Sequence, residues 1–237
     1  MRQLAIALSA ALAVASCASG PPVPPPGRSA AWGTVRLVPR EGVTPGGGDA
    51  DSYADRRYGE VSFVDYAHPG FAVVYADGGP PSGDRVRIEI RSGATGPGLQ
   101  PDRAAVALGG TIEVANATDE SHLLSAPSAR VVRRLEPGEV VELRAVAPGQ
   151  QQLFLLDRGD ISALLFASPG PYTVVSSSGG FELGDLDPGR RTLRVWHPRF
   201  PPAERVVELA PSRATRVDFE LSVASLHGPG GEGAPAP

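Results

Sequence analysis

The sequence predicts an all-β chain of two β-sandwich modules between flexible termini, and three observations carry that expectation. Short runs alternate apolar and polar residues, the period of a strand with one buried face. The 237 residues include 29 glycines and 25 prolines, which break the chain into turns every few residues. No stretch carries the apolar 3.6-residue period of an amphipathic helix, and 155–166 has room for at most a turn or two of one.

In chain order, the alternating runs place strands at 34–38, 72–75, 85–90, 111–114, 140–144, 192–196, 206–209 and 216–221. Together these runs are rich in β-branched residues and are set between Gly- and Pro-containing turns. Residues 18–31 are dominated by Pro, Gly, Ser and Ala and read as an extended tether. The tail from 228 to 237 has the same composition and reads as disordered.

Ahead of the tether lies a different signal. Arg2 precedes an apolar run over 4–14 that is too short to span a bilayer, and Val14, Ala15 and Ser16 then lead into Cys17, the only cysteine. This arrangement resembles the lipobox of bacterial lipoproteins. The resemblance implies cleavage before Cys17, acylation of its thiol and new terminus, and anchorage by several acyl chains, each buried methylene adding about 0.8 kcal/mol. Ala18 rather than Asp after the cysteine implies export to the outer membrane, facing the periplasm.

Composition narrows the function classes. All 22 basic residues are arginines, the net charge is −4, and the two signs are interspersed. That charge pattern offers no footprint for nucleic acid. With its single thiol acylated, the chain has none left for a disulfide, a catalytic thiolate or a thiolate metal site.

The C-terminal half carries a second resemblance. Ser178, Gly179, Gly180, Phe181, Glu182 and Leu183 lead through Pro188 and Gly189 to Thr192, Leu193, Arg194, Val195 and Trp196. This order resembles the second half of a carboxypeptidase regulatory-like domain, a small transthyretin-like sandwich. Gly179 and Gly180 are expected at positive φ, Phe181 in the core, and Pro188-Gly189 closing a hairpin. The first half of such a domain is matched by Gly33-Thr34-Val35 and 72–75, about a hundred residues upstream, so an insertion is expected between.

The inserted segment resembles a cupredoxin. The approach from Val106 through Gly110 to Asn116, then Ser121, His122, Leu123, Leu124 and Ser125, is similar to the segment bearing the first copper histidine. The whole order resembles bacterial secreted proteins called methylamine utilisation-like. The expected division is 1–16 signal peptide, 17–32 lipidated cysteine and tether, 33–80 with 169–222 regulatory-like sandwich, 81–168 cupredoxin-like domain, and 223–237 tail.

Blue copper needs a thiolate, two imidazoles and a weak axial ligand. The resemblance places His122 at the first imidazole, Leu155 at the thiolate, Arg158 at the second imidazole and Ile161 at the axial ligand, so three of these four ligand positions are degenerate. No metal site is therefore expected. His122 is the one weak candidate, read as a leftover ligand position or a surface-loop histidine. His68 and His197 read as loop residues, His227 falls in the tail, and Trp196-His197-Pro198 reads as a packing and turn element. Asp157 and Asp160 are expected to bracket Arg158 in an ion-pair cluster. Asp49, Asp51 and Asp55, with Arg56 and Arg57, read as a solvated loop, lacking the glycine and closing glutamate of a calcium loop.

No catalytic constellation stands out. Ser121 and His122 are adjacent and would face opposite sides of a strand, and there is no Gly-x-Ser-x-Gly elbow. The expectation is a non-enzymatic, lipid-anchored envelope protein without a cofactor, copper included, acting as a binding or structural module with an envelope protein or carbohydrate partner. The rival expectation is periplasmic electron transfer or copper handling through a partial site at His122.

Overall fold

The computed structural model describes residues 21–39, 64–78, 83–94 and 96–222, Asp160 by its backbone alone. Cys17, the acidic loop of Asp49, Asp51 and Asp55, and His227 lie outside these residues. The described chain is all-β, as expected. Its strands are β1 (Ser29–Leu37), β2 (Val73–Ala76), β3 (Arg85–Gly93), β4 (Gly96–Gln100), β5 (Arg103–Ala107), β6 (Thr111–Asn116), β7 (His122–Ala126), β8 (Val131–Leu135) and β9 (Val140–Arg144). They continue with β10 (Gly149–Leu155), β11 (Arg158–Ser168), β12 (Tyr172–Val174), β13 (Gly180–Leu186), β14 (Gly189–His197), β15 (Phe200–Leu209), β16 (Ala214–Arg216) and β17 (Phe219–Leu221). Among the described residues the helical content is one 3-10 turn, Pro127–Ala129, and no helix is long and apolar enough to cross a membrane.

The strands make two sandwiches, each with its own core. The first stacks a sheet ordered β4-β3-β6-β9 on one ordered β5-β11-β10-β7-β8. Ile88, Ile90, Ile112 and Val114 from one sheet meet Leu124, Leu153, Leu155 and Leu165 from the other. The second stacks β13-β1-β16, with β17 also on β1, against β12-β2-β14-β15. There Val35, Phe181, Leu183 and Phe219 meet Val74, Leu193 and Val195. Every residue of the first core falls within 86–167, and every residue of the second falls outside it.

Several local expectations need correcting. The tether ends early: Ser29, Ala30 and Ala31 are already buried in β1, because small residues pack under the neighbouring strands as well as they would populate a linker. The stretch 155–166, read as having room for a helical turn or two, is the end of β10 and most of β11, which pair antiparallel. The run 216–221 is divided between two short strands, β16 and β17, both parallel to β1. Pro188-Gly189 does not close a hairpin. β13 pairs with β1 whereas β14 pairs with β2 and β15, so this turn carries the chain from one sheet to the facing one. Of the glycine pair, only Gly179 takes a positive φ, +87°, and Gly180 opens β13 with an ordinary strand backbone. Gly33 is required for a different reason: a Cβ there would collide with the Val217 carbonyl where the chain crosses β1.

The two sandwiches meet on the outward side of β11. Leu165 points into the first core, so its neighbour Phe166 points out, where it stacks on Trp196 at 4.6 Å and meets Tyr75 at 5.4 Å. Beside this cluster the Tyr172 hydroxyl donates to the Asp84 carboxylate, which also accepts the Ala107 N–H at 2.9 Å. Burial, with Asp84 alongside, pushes the Tyr172 phenol well above its ordinary range. Sequence patterning gives no sign of this junction, because its residues lie on the outward faces of otherwise ordinary strands.

Candidate functional site

The expected ligand end of the first sandwich is a closed polar cluster. β6 ends at Asn116, whose side chain is buried and fully used. Its Nδ2 donates to the carbonyls of Glu120 at 2.7 Å and Leu135 at 3.0 Å, and its Oδ1 accepts from the Thr118 N–H at 3.0 Å and hydroxyl at 2.7 Å. These bonds fold the 117–121 loop back on itself and set the start of β7.

That start is His122, 2% exposed within the strand. It is not a surface-loop histidine, because β7 pairs with β8 here and turns the imidazole inward. Its Nδ1 lies 2.8 Å from Asp157 Oδ2 and its Nε2 lies 3.0 Å from Thr118 Oγ1, so both ring nitrogens are occupied by protein. Asp157 Oδ1 accepts the Leu123 N–H at 2.9 Å. Burial alone would raise the Asp157 carboxyl, but hydrogen bonds from His122 and the Leu123 N–H outweigh it and hold the group below the ordinary carboxylate range. The expected ion pair with Arg158 is therefore replaced: Asp157 turns inward to His122 and the backbone. The Asp160 side chain lies outside the described atoms.

The remaining expected positions fall on a tight hairpin. Leu155 and Arg158 are cross-strand partners, separated by the two turn residues Leu156 and Asp157. Leu155 is fully buried, Ile161 packs against the same core, and Arg158 is exposed. Arg158 borders a recess of about 200 Å³ shared with Ser92, Thr118, Asp119, Glu120 and His122. Two hydrocarbon side chains, a guanidinium and an imidazole with both nitrogens engaged do not fit a blue copper centre. Among the described residues, no three His, Cys, Asp or Glu side chains converge as a metal site.

The other histidines divide. His68 is an exposed loop residue, 2.8 Å from Asp65, as expected. His197 is not in a loop: it ends β14, buried, with Nε2 at 2.9 Å from the Pro69 carbonyl and Nδ1 accepting the Arg199 N–H at 3.0 Å. Burial first, then Arg199 and Arg103, push its pKa down against the opposing Pro69 bond. Its neighbour Trp196 packs in the junction between sandwiches.

Sequence reasoning missed a second region. A groove of about 510 Å³ opens along the side of the second sandwich, lined by Trp32, Thr34, Thr173, Ser176, Ser178 and Glu182 among others. Trp32 and Glu182 are Cα partners across β1 and β13, and Trp32 and Arg216 are partners across β1 and β16, so all three share one sheet face. A lone tryptophan flanked by small residues, Ala31 and Gly33, was the one legible signal.

No family model matches the chain, and no curated protein matches it. Among solved structures, it is similar to a purple cupredoxin from Nitrosopumilus maritimus, at 16% identity over 35% of this chain and 99% of that one, with a TM-score of 0.31. A pseudoazurin from Sinorhizobium meliltoi is similar at 13% identity over 36% of this chain and 75% of that one, TM-score 0.28. Auracyanin B is similar at 12% identity over 40% of this chain and 95% of that one, TM-score 0.29. Scores this low carry no argument on function, and the fold stands on the strand order and the two cores.

Proposed function

We propose that this chain is a non-enzymatic, lipid-anchored envelope protein whose cupredoxin-like sandwich does without copper and serves as a binding or structural module. The observation that carries the reading is the state of the four ligand positions. Leu155 and Ile161 contribute hydrocarbon to the core, Arg158 faces solvent, and His122 spends both nitrogens on Asp157 and Thr118. A scaffold that fills its redox end with core and internal hydrogen bonds serves by its shape and surface. Anchorage rests on Cys17 at the end of its apolar leader, and places the module in the cell envelope at the outer membrane, facing the periplasm.

Copper titration of the full chain, followed by absorption and electron paramagnetic resonance, tests the first part. The expected result is neither an intense thiolate-to-copper band nor stoichiometric tight uptake. Tight one-to-one binding that disappears in His122→Ala would establish copper handling instead. For the anchor, Cys17→Ala is expected to abolish acyl labelling and release the protein from the membrane fraction. Unchanged fractionation would remove the lipid anchor from the reading.

A further inference from the structure

We propose that the groove beside Trp32 binds a neutral saccharide. It runs along the open side of the second sandwich, between the edge strands β12 and β13, and its volume of about 510 Å³ suits a sugar unit or two. The argument rests on which hydrogen-bonding groups the protein leaves unused there. Trp32, Thr173 and Glu182 all line the groove, and their side-chain polar groups make no hydrogen bond or ion pair with another described residue. Trp32 and Glu182 are cross-strand partners on one face and Thr173 lines the groove from β12, so an aromatic surface, an acceptor and a donor-acceptor border one space, the combination that reads a hydroxyl-rich ring with an apolar face.

The aromatic surface is braced from behind. Arg216, across β1 from the groove, holds its guanidinium 5.3 Å from the indole centroid. Asp218 fixes that arginine at 3.0 Å and accepts both the N–H and hydroxyl of Thr34 at 2.9 Å. The indole is therefore held in place before any ligand arrives, which lowers the ordering cost of binding. Gly180 keeps the floor open, since a Cβ there would press on the Ser176 hydroxyl at 3.3 Å. The lining contains a carboxylate and no arginine, which disfavours an anionic ligand, and the Arg216 guanidinium already over the Trp32 ring disfavours a cationic one.

The test uses the full chain with maltose, cellobiose and N,N′-diacetylchitobiose as probes. Only Trp32 and Trp196 can fluoresce as tryptophan, and Trp196 is stacked in the junction, so Trp196→Phe isolates the groove signal. At least one disaccharide is expected to give a saturable emission change, with saturation transfer to its ring C–H protons by NMR. Glu182→Gln should weaken that binding about tenfold, the scale of one charge-assisted hydrogen bond. Trp32→Ala should abolish it; where that variant loses its circular dichroism, Trp32→Phe is expected to bind more weakly than the parent. The proposal is overturned by no saturable response to any of the three probes, or by affinities unchanged in both Glu182→Gln and the Trp32 variant. Capture of an extended peptide along β13 in place of the sugars would also overturn it. None of these outcomes bears on copper, so this inference and the reading of the first sandwich fail separately.

Discussion

The cluster around His122 and the groove beside Trp32 lie in different sandwiches and use their polar atoms in opposite ways. At His122 the histidine, Thr118, Asn116 and Asp157 bond to each other and to backbone groups. At Trp32 the indole N–H, Thr173 and Glu182 make no side-chain bond to another described residue. A buried histidine with both ring nitrogens engaged thus serves as architecture, whereas hydrogen-bonding capacity left unspent among the described residues marks the surface to test.

The contrast breaks most visibly through Leu155. If this position is core, Leu155→Ala removes a fully buried side chain beside Leu124 and costs about 2–5 kcal/mol of stability, read from chemical denaturation. A cost below about 1 kcal/mol would mean that the β10–β11 turn is loosely packed and this end of the sandwich is open. Next in size is Asp157→Ala, which strands the Leu123 N–H and one ring nitrogen of buried His122. It is expected to cost about 1–3 kcal/mol, with faster amide exchange at Leu123 and no change at Trp32.

Acid separates the two sandwiches. His197 has its pKa lowered from the ordinary 6.5, so its neutral form is favoured by folding. Its contribution is complete above 6.5 and declines as pH falls from there toward the folded value, because the unfolded chain takes the proton first. Asp157 is lowered from 3.8, so its contribution is complete above that value and is lost only as pH falls below it toward its folded value. Hydrogen exchange on acidification should therefore loosen the ends of β14 before the β10–β11 turn. His197→Gln should remove the first phase and leave the second, and loss of both phases together would show that the sandwiches unfold as one unit.

How much of this was legible follows from what the sequence encodes locally. Period-two patterning found the strands at 85–90 and 140–144 because each has one face in a core and one towards solvent, and the one at 111–114 because its polar Thr111 and Glu113 alternate with Ile112 and Val114. It missed β4, with its glycines, and β7, whose residues are nearly all buried, because neither alternates cleanly. The hydrocarbon character of positions 155 and 161 could be read from residue type alone. The partner of Asp157 could not, since choosing His122 over Arg158 depends on a two-residue turn that aims the carboxylate inward. Trp32 and Glu182 are 150 positions apart in the chain, and only the β1–β13 register brings them together.

The smallest expected effect discriminates best. Glu182 is exposed and, among the described residues, unpaired, so Glu182→Gln should leave stability within about 0.5 kcal/mol of the parent. An architectural carboxylate, like Asp157, would show the reverse pattern: a stability loss with little effect on ligand. Measuring denaturation and disaccharide titration on the same Glu182→Gln and Asp157→Ala samples places the two acids on opposite diagonals if the contrast is right. Should Glu182→Gln destabilise the chain as much as Asp157→Ala does, the groove carboxylate has a structural partner in solution and the distinction between closed cluster and open groove falls.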